Sequence, residues 1–68
     1  MLNRYVLAAA MFLAETATTR LLEETPDDVA LLMLRGIVLA HAGRKAEAIS
    51  DFEHVVQIQP DHADAAQR

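Results

Sequence analysis

Two prolines, Pro26 and Pro60, punctuate the chain, and each is followed by aspartate: Thr25-Pro26-Asp27-Asp28 against Gln59-Pro60-Asp61-His62. Proline lacks the amide hydrogen that a helix interior needs, and it pushes the residue before it toward extended geometry. An aspartate just beyond can accept a bond from a free amide and suits the positive end of a helix dipole. Each site therefore reads as one helix stopping and another starting. Between them the strong break is Ala42-Gly43-Arg44-Lys45, where Gly43 can take the left-handed conformation that closes a helix. The spacing predicts two helices, over about 28–42 and 45–58, joined by a tight turn.

The two helices differ in character. From Val29 to Ala42 every residue is apolar except Arg35, Gly36 and His41. Such a helix is expected to be buried nearly all round. Gly36 in its middle costs about 1 kcal/mol relative to alanine, which the close approach of another helix would explain. In the next helix Ala48, Ile49, Phe52, Val55 and Val56 fall on one stripe, while Glu47, Ser50, Asp51, Glu53, His54 and Gln57 fill the other face. This one is expected to be half-buried.

Residues 3–25 contain neither glycine nor proline, so nothing local breaks a helix there. Unbroken, it would run about 33 Å. Tyr5 to Ala14 is apolar all round and should be covered on several sides, whereas Thr16 to Thr25 is amphipathic. Thr16, Thr18 and Thr19 lower helix propensity and mark the expected weak point. The apolar run is short of the roughly 20 residues a membrane span needs. It could serve as a signal-peptide core flanked by Arg4, with residues 1–17 as a targeting segment, but Glu15 falls where a cleavage site before Ala17 wants a small residue. A buried helix in a cytoplasmic chain fits better.

A chain of 68 residues buries only about 60% of the surface its unfolded form exposes. Small scaffolds usually need a disulfide, a metal or a partner. With no cysteine, disulfides and thiolate metal sites are excluded, and association is the stabiliser left. The net charge is −4 and the six basic residues are scattered, which argues against nucleic acid and against anionic membrane surfaces.

A helix–turn–helix unit that ends in proline and repeats its proline after about 34 residues, as Pro60 follows Pro26, resembles the tetratricopeptide repeat. Leu32, Gly36, Leu39, Gly43, Ala48, Phe52 and Pro60 carry the resemblance. Leu32 stands where the family often has tryptophan, Leu39 where it often has tyrosine, and Glu47-Ala48-Ile49 matches its common Glu-Ala-Ile. Arg35 departs from the usual leucine and Val55 from the usual alanine. The match is strongest over 27–60. Over 14–26 Ala14, Leu21 and Pro26 stay in step, but Thr18 replaces the aromatic, and the turn due near Ala9 is Ala8-Ala9-Ala10. The first repeat therefore either lacks its first helix or has fused it into one long helix. Residues 61–68 would begin a further helix.

The resemblance implies an all-α fold of antiparallel helical hairpins, a fragment of an α–α superhelix with a long N-terminal helix, as one domain over 1–68. Gly36 and Ala48 would let the helices approach, and Phe52 would plug between them and the next helix. It also implies a non-catalytic protein-interaction module, an adaptor or scaffold. Its groove face would be Ala30, Met33, Ile37, Ala40 and His41, unless these are core beneath the N-terminal helix. That face lacks the Lys, Arg and Asn that grip a peptide carboxylate, so it suits an amphipathic helix or a second copy of the chain. Repeat units leave a face open to a neighbour, so the chain is expected to form a homo-oligomer, or else to be a segment of a longer protein. His41, His54 and His62 lack helical zinc-site spacing, the Asp27/Asp28 and Asp61/Asp64 clusters read as caps, and Ser50 has no evident base. Neither catalysis nor a cofactor nor a metal is expected.

Overall fold

In the computed structural model, which describes residues 3–59, the Asn3 side chain accepts the Val6 amide at 2.9 Å and opens α1, Arg4–Glu24. The helix runs unbroken for 21 residues, about 31 Å, so the fused form of the first repeat is the one observed. The threonines do not weaken it into a break. Thr16 Oγ1 donates to the Phe12 carbonyl at 2.9 Å, and Thr18 Oγ1 donates to Ala14 at 2.7 Å and Glu15 at 3.0 Å. Back-bonding of this kind satisfies a hydroxyl inside a helix, and it lets Thr18 be buried.

Thr25 caps α1 through its amide on the Leu21 carbonyl, and Pro26 forbids continuation. Of the two following aspartates, Asp28 is the cap: its Oδ1 accepts the Leu31 amide at 3.1 Å and starts α2, Val29–His41. At the far end Gly43 has φ +82°, the Arg44 amide reaches the Leu39 carbonyl at 2.9 Å, and the Gly43 amide reaches Ala40 at 3.1 Å. This is the paired closure in which a left-handed residue satisfies two orphan carbonyls. α3 then runs over Lys45–Ile58.

Partners across the helices run in opposite order: Arg35 meets Asp51 and Leu32 shares a cluster with Val55, while Arg35 meets Thr19 and Leu32 shares that cluster with Leu22. α2 is therefore antiparallel to both α1 and α3 and lies between them. Leu22, Leu32 and Val55 form the core, with Val29, Leu31, Met33 and Ile58 packed against it. Leu32 and Val55 are each 1% exposed, worth about 1.5–3 kcal/mol apiece. Nearer the turn, Leu39 and Ala48 are buried.

Two expectations about coverage fail. α2 is not buried all round: Ala30, Leu34, Ile37, Ala40 and His41 are exposed, because the described neighbours flank only two of its sides. Nor is the apolar half of α1 covered. Tyr5, Val6, Leu7, Phe12 and Leu13 are all exposed, because α1 is longer than α2 and runs on past the α2–α3 turn. The short apolar run also understated the helix. α1 as a whole is long and apolar enough, by length and composition, to cross a membrane. Its C-terminal half is nevertheless committed to α2, with Thr18 and Leu22 buried. Pro60, His62, the Asp61/Asp64 pair and the expected helix over 61–68 lie outside the described residues.

Candidate interaction surface

The 3.6-residue period places Ala30, Leu34, Ile37 and His41 on one line along α2, with Met33 and Ala40 beside it. This line faces away from the core. Leu34 is 47% and Ile37 46% exposed, Ala30, Ala40 and His41 are exposed, and only Met33 turns inward to pack on the core cluster. Ala30, Ile37, Ala40 and His41 of the expected groove residues therefore share one open face, while Met33 does not. Leu34 belongs to the same face.

The residues expected to pack the repeat are mostly where packing needs them. Leu32, Gly36, Leu39 and Ala48 are buried, and Gly43 makes the turn. A Cβ on Gly36 would lie 2.5 Å from Cε1 and 2.7 Å from Cζ of Phe52, so the glycine is there to admit that ring. Phe52 itself is only half-buried, with its ring against Gly36 of α2. It shares the outer side of α3 with Ile49 and Val56, both exposed.

Charged groups join the helices on the opposite side. Arg35 donates through Nε and Nη2 to the two oxygens of Asp51, each at 2.7 Å, and Nη1 lies 3.4 Å from Thr19 Oγ1. The hydrogen bonds to Asp51 hold the guanidinium above its ordinary pKa, against the opposing effect of burial. At the turn Arg44 Nη1 donates to both oxygens of Glu15 at 2.6 Å, and its other nitrogens pair with Glu47. Arg44 thus links α1 to the first turn of α3. Its hydrogen bonds hold Glu47 below the ordinary carboxylate range and raise its own pKa further. Together these groups line a shallow hollow of about 340 Å³ with Leu39 and Ser50. Every arginine in it already grips a carboxylate, so the hollow offers no free cation to a ligand.

Sequence reasoning did not find the Arg35–Asp51 pair, although a signal existed. Arg35 is the one arginine or lysine within α2, and a charge in such a helix demands a partner. His54 Nε2 lies 3.1 Å from Asp27 Oδ1, which assigns the first aspartate of the break to an exposed pair rather than a cap. Among the described residues no group of His, Cys, Asp and Glu is placed to hold a metal ion.

Antiparallel helices stacked side by side, with small residues at their crossings and an open apolar face on the middle one, define an α-helical repeat protein. A model of the tetratricopeptide repeat matches residues 3–67, and the chain belongs to that family. The match takes in the whole of α1, beyond the Pro26–Pro60 unit. Repeats of this family generally mediate protein–protein interaction and are typically non-catalytic. The comparison with curated proteins and that with solved structures each returned no match.

Proposed function

We propose that this chain is a non-catalytic adaptor or scaffold module that self-associates through its apolar helix faces. It offers the outer face of α2 (Ala30, Ile37, Ala40 and His41, with Met33 at its inner edge) to an amphipathic helix of a partner protein or of a second copy. The observation that carries this reading is the exposure of Ile37 on a helix whose opposite side holds the fully buried Leu32. An apolar line at i, i+4, i+7 is the pattern that accepts a helix laid along it. Chaperone-tail carboxylates are poor candidates, since no Lys, Arg or Asn lies on that line.

Sedimentation across concentration tests self-association, and titration with a labelled amphipathic helical peptide, with and without Ile37→Glu, tests the face. A wild-type chain that stays monomeric and binds the peptide no better than its Ile37→Glu variant would sink the proposal. A second reading is favoured by the outer side of α3, where Ile49, Phe52 and Val56 offer apolar surface of the kind a following repeat packs against. In that reading 1–68 works as a segment of a longer array, and the reading frame around it decides.

A further inference from the structure

We propose that the outer face of α1 is a self-complementary contact on which a second copy of this chain pairs antiparallel, with the twofold axis passing beside Ala9; this deepens, and rests on, the self-association reading. The face lies opposite Thr18 and Leu22, the buried residues of the helix. At 100° per residue it carries Tyr5, Val6, Ala9, Phe12 and Leu13. Tyr5 is 78%, Phe12 67%, Leu13 65% and Val6 47% exposed.

Their order is what selects a second copy as the occupant. Tyr5 and Val6 stand one turn before Ala9, and Phe12 and Leu13 one turn after it. Reversing an identical helix about Ala9 sets Tyr5 against Leu13 and Val6 against Phe12, with alanine on alanine at the axis. Bulky pairs thus flank a central small pair, which permits the backbones to approach. An isologous contact needs this self-complementarity, and a foreign helix does not. No charged residue interrupts Tyr5 to Ala14. The α2–α3 hairpins also fall at opposite ends of the pair, because Glu15, which meets Arg44 at the turn, lies across from Asn3 of the other copy. Four side chains per copy bury roughly 800 Å² in all, below the standard size of a stable interface, so the pairing is reversible.

The chain has no cysteine, so one introduced thiol reports one position. Ala9→Cys is expected to oxidise to a dimer. Tyr5→Cys alone is not, because its copies lie about 12 Å apart along the axis, beyond the reach of a disulfide. An equimolar mixture of Tyr5→Cys and Leu13→Cys should give the mixed dimer. In sedimentation equilibrium Ala9→Glu should raise the dissociation constant at least about tenfold. Lys45→Gln, an exposed position on neither apolar face, should leave it unchanged, and circular dichroism should show the helices intact, since Ala9 is exposed in the single chain. A wild-type monomer at every concentration overturns self-association itself. A wild-type dimer that survives Ala9→Glu, or a Tyr5→Cys chain that links to itself, overturns this placement alone. A chain that is monomeric in buffer yet co-floats with phosphatidylcholine vesicles assigns the face to lipid instead and also overturns it.

Discussion

Arg35 and Asp51 lock the middle of α2 to the middle of α3 through two parallel hydrogen bonds of 2.7 Å. The Asp51 side chain is 7% exposed and that of Arg35 24%. A carboxylate so covered is costly unless a cation and its hydrogen bonds come with it. The planar fork of arginine supplies both at once. Arg35 stands where the family more often has leucine, so this chain has replaced an apolar contact by an ionic one and carries the matching acid on the facing side of α3.

Arg35→Leu should therefore be damaging even though leucine is the commoner family residue. It leaves Asp51 buried without its cation, a loss of about 3–5 kcal/mol. The pair Arg35→Leu with Asp51→Leu should recover most of that, because well-packed apolar residues often replace a buried ion pair at little cost. Urea melts of the two single variants and the double variant provide the cycle. Additive losses would show that the two residues do not act together.

Gly36→Ala sets two effects against each other. Helix propensity favours alanine by about 1 kcal/mol, while overpacking against the Phe52 ring costs about 1–3 kcal/mol. At 2.5 Å the clash is severe, so a net loss of melting temperature is expected. Shortening the ring by Phe52→Leu in the same chain should reverse its sign. Phe52→Ala alone should cost about 2 kcal/mol, less than the 3–5 kcal/mol of a fully buried aromatic, because the side chain is not fully buried.

At Gly43 space is not the constraint. Nothing lies within 4 Å of a Cβ placed there, but φ is +82°. Gly43→Ala should cost only the left-handed backbone penalty, about 1–2 kcal/mol. Gly43→Asn should cost less, since asparagine tolerates that region. A thermal melt ranking glycine above asparagine above alanine is the expected result. Equal stability of all three would mean that the turn rearranges.

Acid should weaken the link at the turn. Arg44 holds Glu47 below its ordinary range when folded, whereas in the unfolded chain Glu47 titrates near about 4.3. A depressed folded pKa adds stability that is present above the unfolded value and is lost as pH falls through the folded one. The raised pKa of Arg44 adds no window in acid, because the guanidinium stays charged throughout. Glu47→Gln should therefore flatten the decline in stability below about pH 4.3 relative to wild type. Salt should shrink the difference, since the pair is exposed. Parallel pH profiles would rule the effect out.

Much of this architecture is legible in a single chain because it is written locally. Pro26 with Asp28, and Gly43 with its two carbonyl partners, act within a few residues, so the helix limits follow from chemistry that the sequence shows directly. The burial of Leu32, Gly36, Leu39 and Ala48 follows from helical period and residue size. The exposure of Ile37 and Phe12 is different in kind. It depends on how far one helix outruns another, and neither residue carries a sign of that. The Arg35–Asp51 bond lies between these cases, since each half is visible but the register of α3 on α2 has to be known first. For the groove face the residue types were legible, while its openness depended on α1 continuing straight at Ala9 where a repeat would turn back.

That straightness gives α1 the mechanics of a lever. Its fulcrum is Glu15, held by Arg44, and about 15 Å of helix extends from there to Tyr5. A tilt of a few degrees at the fulcrum moves the tip by about 1 Å. Conversely, a force applied at Tyr5 reaches the buried Thr18 and Leu22 and also the Arg44 guanidinium, which grips Glu47 in the first turn of α3. Whatever takes hold of the free end of α1 therefore pulls on the start of the last helix without touching it.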